Sequence, residues 1–245
     1  MLDTVEVVCP SGLTGIVRNL KTKEIKLFTG GGGSVKAHKS METLLSNCWV
    51  ETKDPGPYAF EDKPDWSQVL GGDRYFILLK IREATYGPEY VFPYTCKSCG
   101  SKEEHIIDFN DLTIQKLSKV GAESLGEGKS LTLTQGTATI TYGLQTGASE
   151  LRASKLASQN KASDISCALA ARTTHIVDGD KNIDLVHFPA WYDDLSIRHT
   201  VAITHKMQEH DCGVETEIDV SCPSCGADSK VELPIVEGFW LADQS

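Results

Sequence analysis

Two C-x-x-C-G stretches, Cys96-Lys97-Ser98-Cys99-Gly100 and Cys222-Pro223-Ser224-Cys225-Gly226, constrain the fold of this chain more than any other feature. Their flanks repeat too. Phe92 and Tyr94 stand four and two positions before the first cysteine, as Ile218 and Val220 do in the second copy; Ile107 and Phe109, and Leu233 and Ile235, follow. Each half reads as strand, tight turn, strand. The x-x spacing brings two thiolates within about 2.3 Å of a common ion, and the glycine lets the backbone fold back. Two such halves, Cys96 with Cys99 and Cys222 with Cys225, complete a four-sulfur set for one structural zinc ion. Rubredoxin-like iron, a redox dithiol and no metal at all are the alternatives the spacing leaves open. Four thiolates leave no open coordination position, so an ion there holds structure and catalyses nothing. Because residues 100–221 lie between the halves, a shared ion pins together the ends of a large inserted segment.

A chain of 245 residues, 40% hydrophobic, buries a real core. Its formal net charge of −10 argues against a nucleic-acid partner, whose phosphates call for a basic face. The start, Met1-Leu2-Asp3-Thr4-Val5-Glu6, lacks the basic and apolar regions of a signal peptide. The longest apolar run, Tyr75 to Leu79, is too short to cross a bilayer, so no membrane partner is expected. Four cysteines outside the knuckles, Cys9, Cys48, Cys167 and Cys212, read as small buried hydrophobes of a reducing compartment.

Thr4 to Val8 and Thr14 to Leu20 read as strands, Lys21 to Phe28 as a short helix, and the glycine run before Ser34 as a flexible hinge. Met41, Leu44, Leu45 and Cys48 give Lys36 to Val50 a helical period. Asp73 is expected to cap a second helix that ends at Tyr86-Gly87-Pro88 and is apolar around most of its circumference. Further helices are expected from Asn110-Asp111 to about Leu125, over Ala148 to Val177 with breaks near Gln159-Asn160, and from Asp193 to about Met207. Between them, Ser130 to Thr134 and Thr137 to Leu144 alternate about Gln135-Gly136 as a hairpin. Phe239-Trp240-Leu241 make an apolar end that docks against something, a candidate partner-binding element.

Several constellations carry no chemistry. The glycine run lacks the G-K-[ST] ending of a phosphate loop. Asp178, Asp180 and Asn182 begin like a calcium loop, but Ile183 and Pro189 stand where its glycine and glutamate belong. His199, His205, His210 and Cys212 do not share one helical face, and Asp108, Asp111, Asp193 and Asp194 sit where carboxylates stabilise helix starts. No motif demands an enzyme or a small-molecule substrate.

In order along the chain, Val8-Cys9-Pro10-Ser11-Gly12, Lys21-Thr22-Lys23-Glu24, Gly72-Asp73-Arg74 through Ala84-Thr85-Tyr86-Gly87, the first knuckle, Leu144-Gln145-Thr146-Gly147, Ile176-Val177-Asp178-Gly179, the second knuckle, Leu233-Pro234-Ile235 and Phe239-Trp240 resemble the baseplate hub assembly proteins of T-even-type contractile-tailed phages. Cys9, where that family commonly has an apolar residue, and the glycine run are departures. The resemblance implies a non-catalytic role in forming the tail baseplate near its hub. It also implies other tail proteins as partners, assembly in the host cytoplasm and a place in the virion tail. The fold expected is α+β: amino-terminal strands and helices, a zinc-ribbon-like pair of hairpins, and a mainly helical insertion. The expected units are 1–88, 89–110 with 214–236, the insertion 111–213, and a docking tail 237–245. An electron-transfer iron protein and a nucleic-acid-binding zinc ribbon are the alternative functions.

Overall fold

The chain is organised about one buried helix, α3 (Gly71–Tyr86), whose Phe76, Ile77, Leu78, Leu79 and Ile81 are all in the core. With apolar residues on every side it must be covered on every side. The structure, a computed structural model, describes residues 3–27, 34–235 and 237–241. The glycine-run hinge lies outside them, apart from Ser34 at its end.

One cover is an antiparallel sheet of β1 (Thr4–Val8), β2 (Thr14–Arg18) and β3 (Trp49–Asp54), in the order β1-β2-β3. The short α1 (Thr22–Ile25) places Glu24 against Arg18, and α2 (Ser34–Cys48) buries Leu44, Leu45 and Cys48. The expected helix therefore ends at Cys48, and β3 is an addition to the sequence reading. Its Val50 to Asp54 face outward or lie only part-buried, so no alternation announced it.

The α3 helix runs straight into β4 (Glu89–Thr95), which pairs with β5 (Lys102–Asp108) across the first knuckle. The second knuckle joins β12 (Glu217–Ser221) to β13 (Asp228–Glu232) in the same way. Between them the chain makes β6 (Ile114–Gln115), α4 (Lys119–Glu127), β7 (Leu131–Gln135), β8 (Ala138–Tyr142), α5 (Gly147–Gln159), α6 (Asp164–Arg172), β9 (Thr173–Asp178), β10 (Lys181–Ile183), α7 (Phe188–Asp193), α8 (Ile197–Gln208) and β11 (Gly213–Val214). Strands β10-β9-β8-β7 form an antiparallel sheet, and β11 pairs with β6. The α+β expectation holds.

Four local expectations are corrected. The stretch from Asn110 is a single 3-10 turn, and α4 starts later under a Ser118 cap. Ala148 to Val177 stops being helical at Arg172, so Ile176 is buried in a strand, opposite Ile140. Asp193 ends α7 rather than starting a helix, and Ser196 caps α8. Asp73 makes no cap for α3, whose N-cap is Leu70.

Candidate metal centre and structural junction

The tips of the two hairpins bring the four knuckle cysteines together. In each, the second position after the turn folds back in the same way: Gly100 N–H donates to Cys96 O at 2.9 Å and Gly226 N–H to Cys222 O at 2.8 Å. Both glycines have positive φ, 75° and 70°, which a side chain disfavours. Cys96 N–H then donates to Ser101 O, and Cys222 N–H to Ala227 O. The four Sγ atoms lie within 4.8 Å of one another, with Cys96 and Cys222 buried and Cys99 and Cys225 exposed. Cys96 to Cys225 and Cys99 to Cys222 are both 3.8 Å apart.

Those distances discriminate between chemistries. A disulfide needs sulfurs about 2.05 Å apart. A tetrahedron with metal–sulfur bonds of about 2.3 Å has edges of about 3.8 Å, the spacing of the two cross-knuckle pairs. Both 3.8 Å contacts run across the knuckles, whereas a C-x-x-C dithiol would close within one. Four cysteines this close together are able to hold a metal ion, and among the described residues no other group of His, Cys, Asp and Glu does so.

Local donors favour thiolates. The Cys222 thiol is pushed down to about 6, chiefly by the Ser101 hydroxyl at 3.4 Å, with backbone N–H groups of Cys225 and Ser224 assisting. Cys99 is lowered by the same hydroxyl at 3.1 Å. At Cys225 the backbone N–H of Ala227 favours the thiolate, but the neighbouring sulfurs and desolvation together win and push the group up to about 11. A divalent ion held here would take the place of the protons that remain on the thiols.

Three of the segments that carried the family resemblance, around Ser11, Asp73 and Gly147, meet elsewhere, at the amino end of α3. Buried Asp73 accepts from Ser11 N (3.0 Å), the Ser11 hydroxyl, Tyr58 Oη (2.6 Å) and Cys212 Sγ (3.6 Å). Desolvation outweighs these bonds and raises its pKa. Arg74, fully buried, pairs with Glu150 at 2.5 Å beside Gly147, where a Cβ would stand 2.7 Å from the guanidinium. Gly72 lies against Cys212 O, and Gly71 N–H donates to Gln145 O. One turn of helix thereby ties the first loop, the insertion and the approach to the second knuckle to each other. Spacing gives no hint of this convergence, because its partners come from four distant segments.

The candidates set aside stay apart. Cys212 is a buried thiol raised by desolvation and by Asp73, the opposite of a reactive thiolate. His210 faces the Ser118 hydroxyl at 3.3 Å. Asp193 accepts from Ser163 N and Ser166 Oγ, and Asp178 from Thr137 and Trp191.

Phe239 and Trp240, in the terminal turn α9 (Glu237–Trp240), are buried within their own chain, and Leu241 is 36% exposed. Phe239 packs edge-on to Tyr90 at 5.2 Å, and its carbonyl accepts from Arg82 Nε at 3.1 Å. The Arg82 guanidinium sits 4.6–5.5 Å from the rings of Tyr90, Phe109, Phe239 and Tyr86, an aromatic cage with carbonyls at its rim. Desolvation lowers its pKa.

No helix of the described residues is long and apolar enough to cross a membrane. The family model described as T4 bacteriophage base plate protein matches residues 13–240. No curated protein and no solved structure matches the chain.

Proposed function

From the premise that the chain belongs to the family of T4 bacteriophage base plate proteins, we propose that it works near the hub of a contractile-tail baseplate, as a component or assembly factor, and without catalysis. Membership makes it a phage baseplate protein that meets other tail proteins. The hub position, and assembly in the host cytoplasm before entry into the virion tail, belong to the proposal. So do the units 1–88, 89–110 with 214–236, 111–213 and 237–245, and the absence of nucleic-acid, membrane and small-molecule partners.

The observation that carries the structural half of the reading is the cross-knuckle spacing of 3.8 Å. Cys96, Cys99, Cys222 and Cys225 would hold one zinc ion, which supplies a cross-link and, with four sulfurs around it, no site for substrate. Zinc is favoured over iron by this setting: the ion would join two hairpin tips far along the chain from one another, where holding shape is the task.

Deletion of the gene from the phage tests the role. Complete baseplates are expected to be missing from lysates of the deletion phage, and return with the gene in trans. Mass spectrometry of purified wild-type particles then separates a resident subunit, whose peptides are present, from an assembly factor that leaves. Complete, contractile tails in the deletion phage would refute the proposal.

A further inference from the structure

The negative charge of the chain is concentrated on the two hairpins. Residues 89–111 and 213–235 hold ten carboxylates against three lysines, so they account for −7 of the net −10. On β4 the alternation is strict: Tyr90, Phe92 and Tyr94 are buried, and Glu89, Val91, Pro93 and Thr95 face outward. Across the ladder Val91 stands opposite Ile106, Pro93 opposite Glu104, and Glu89 opposite Asp108. Val91 is 39% and Ile106 61% exposed.

Two features of this outer face set it apart from ordinary surface. Glu89 and Asp108 are like charges directly opposite one another, an arrangement that weakens a free hairpin. Among the described residues no ion pair relieves Glu89, Glu104 or Asp108. An apolar pair bordered by three carboxylates without an ion pair, with Lys102 opposite Thr95 at the tip of the same face, has the layout of a docking face, with an apolar centre and a charged, mainly acidic rim.

We propose that the outer face of β4–β5, centred on Val91 and Ile106, docks onto a basic surface of another tail protein that carries an apolar projection within a ring of Lys or Arg. The inference rests on the baseplate reading and adds the face and the chemistry of the partner. Charge selects this occupant. A second copy would set carboxylate against carboxylate, and the phosphates of nucleic acid or of an anionic membrane are repelled in the same way.

The test immobilises the purified tail proteins of the same phage, one at a time, and passes the full-length chain over each at low and at high salt. Glu89→Lys/Glu104→Lys and Ile106→Ser change the face, and Asp194→Lys/Glu209→Lys changes as much charge in the insertion; circular dichroism checks that each is folded. Wild type is expected to bind one of the proteins, associating about tenfold more slowly at high salt and in the double-lysine variant. Ile106→Ser is expected to dissociate faster and the insertion variant to match wild type. Equal binding by wild type and both face variants would overturn this face while leaving the baseplate reading intact. Binding to none of the tail proteins would overturn both. Self-association of wild type lost in the face variants would replace the basic partner by a second copy and overturn the proposal.

Discussion

Stripping the proposed zinc from the four-cysteine centre should loosen the hairpin tips and leave their bases in place. The size of the effect follows from what else joins the hairpins. Residues 100–221 separate the knuckles in sequence, but β6 and β11 pair just inside those ends, Gln115 opposite Gly213 and Ile114 opposite Val214. With that pair formed, an ion closes only residues 100–113 and 215–221, a loop entropy of about 3 kcal/mol rather than the nearly 5 of the whole insertion. Zinc bound by four thiolates contributes on the order of 10 kcal/mol in small peptides, which leaves roughly 7 kcal/mol holding the tips shut, within the ceiling set by global unfolding. Further down, Tyr90 Oη donates to Pro234 O at 3.0 Å, and Phe239 packs edge-on to Tyr90 and tilted against Phe109. Those contacts need no ion. Hydrogen exchange with and without chelator should therefore show the amides of Cys96, Gly100, Cys222 and Gly226 losing about five orders of magnitude of protection, with those near Ile107 and Leu233 changing far less. Tips that stay protected after the metal is removed would show that the hairpins hold their own shape, and the clamp would be refuted.

Glu24→Ala strands the buried Arg18 guanidinium and is expected to cost about 3 kcal/mol by urea titration. Desolvation opposes ionisation of Glu24, but the Arg18 and Lys21 hydrogen bonds win and hold its pKa below the ordinary 4.5. Its stabilisation is therefore complete above pH 4.5 and lost as pH falls through the folded value, so the gap between wild type and variant should narrow in acid. Gly72→Ala would place a methyl 1.9 Å from Cys212 O and should destabilise by about 2 kcal/mol, while Gly126→Ala, which meets nothing within 4 Å, should stabilise its helix by about 0.5 kcal/mol. Phe239→Ala should cost about 3 kcal/mol, the lower part of the range for a buried phenylalanine, because a terminal turn can lift away instead of leaving a cavity; unchanged urea stability would show the tail undocked to begin with.

What the sequence made legible was local chemistry. Each knuckle announces itself through two cysteines, a glycine and the alternation around them, and α3 through its all-round apolar surface. Strand β9 was hidden because Thr173 follows Arg172 with no glycine or proline to mark the change from helix to strand. Strand β3 was hidden because only Trp49 of its residues is buried. The carboxylates misled for a different reason. Asp73 and Asp193 stand where an acidic cap belongs, but each is bonded to another segment, Asp73 to Ser11 and Tyr58 and Asp193 to the start of α6. A cap and a tertiary bridge look alike until the chain is folded. Phe239 and Trp240 show the same limit: an apolar end is visible in sequence, but the Arg82 cage that receives it is assembled from α3, β4 and the turn after β5.

The central claim is that one metal ion, zinc, joins the two knuckles. Native mass spectrometry of the untreated protein tests it most directly. The account predicts one zinc per chain, no visible absorption, and loss of the ion when Cys96 or Cys222 is replaced by serine. A red protein carrying iron, or a metal-free chain two hydrogen atoms lighter for each disulfide formed, would contradict it.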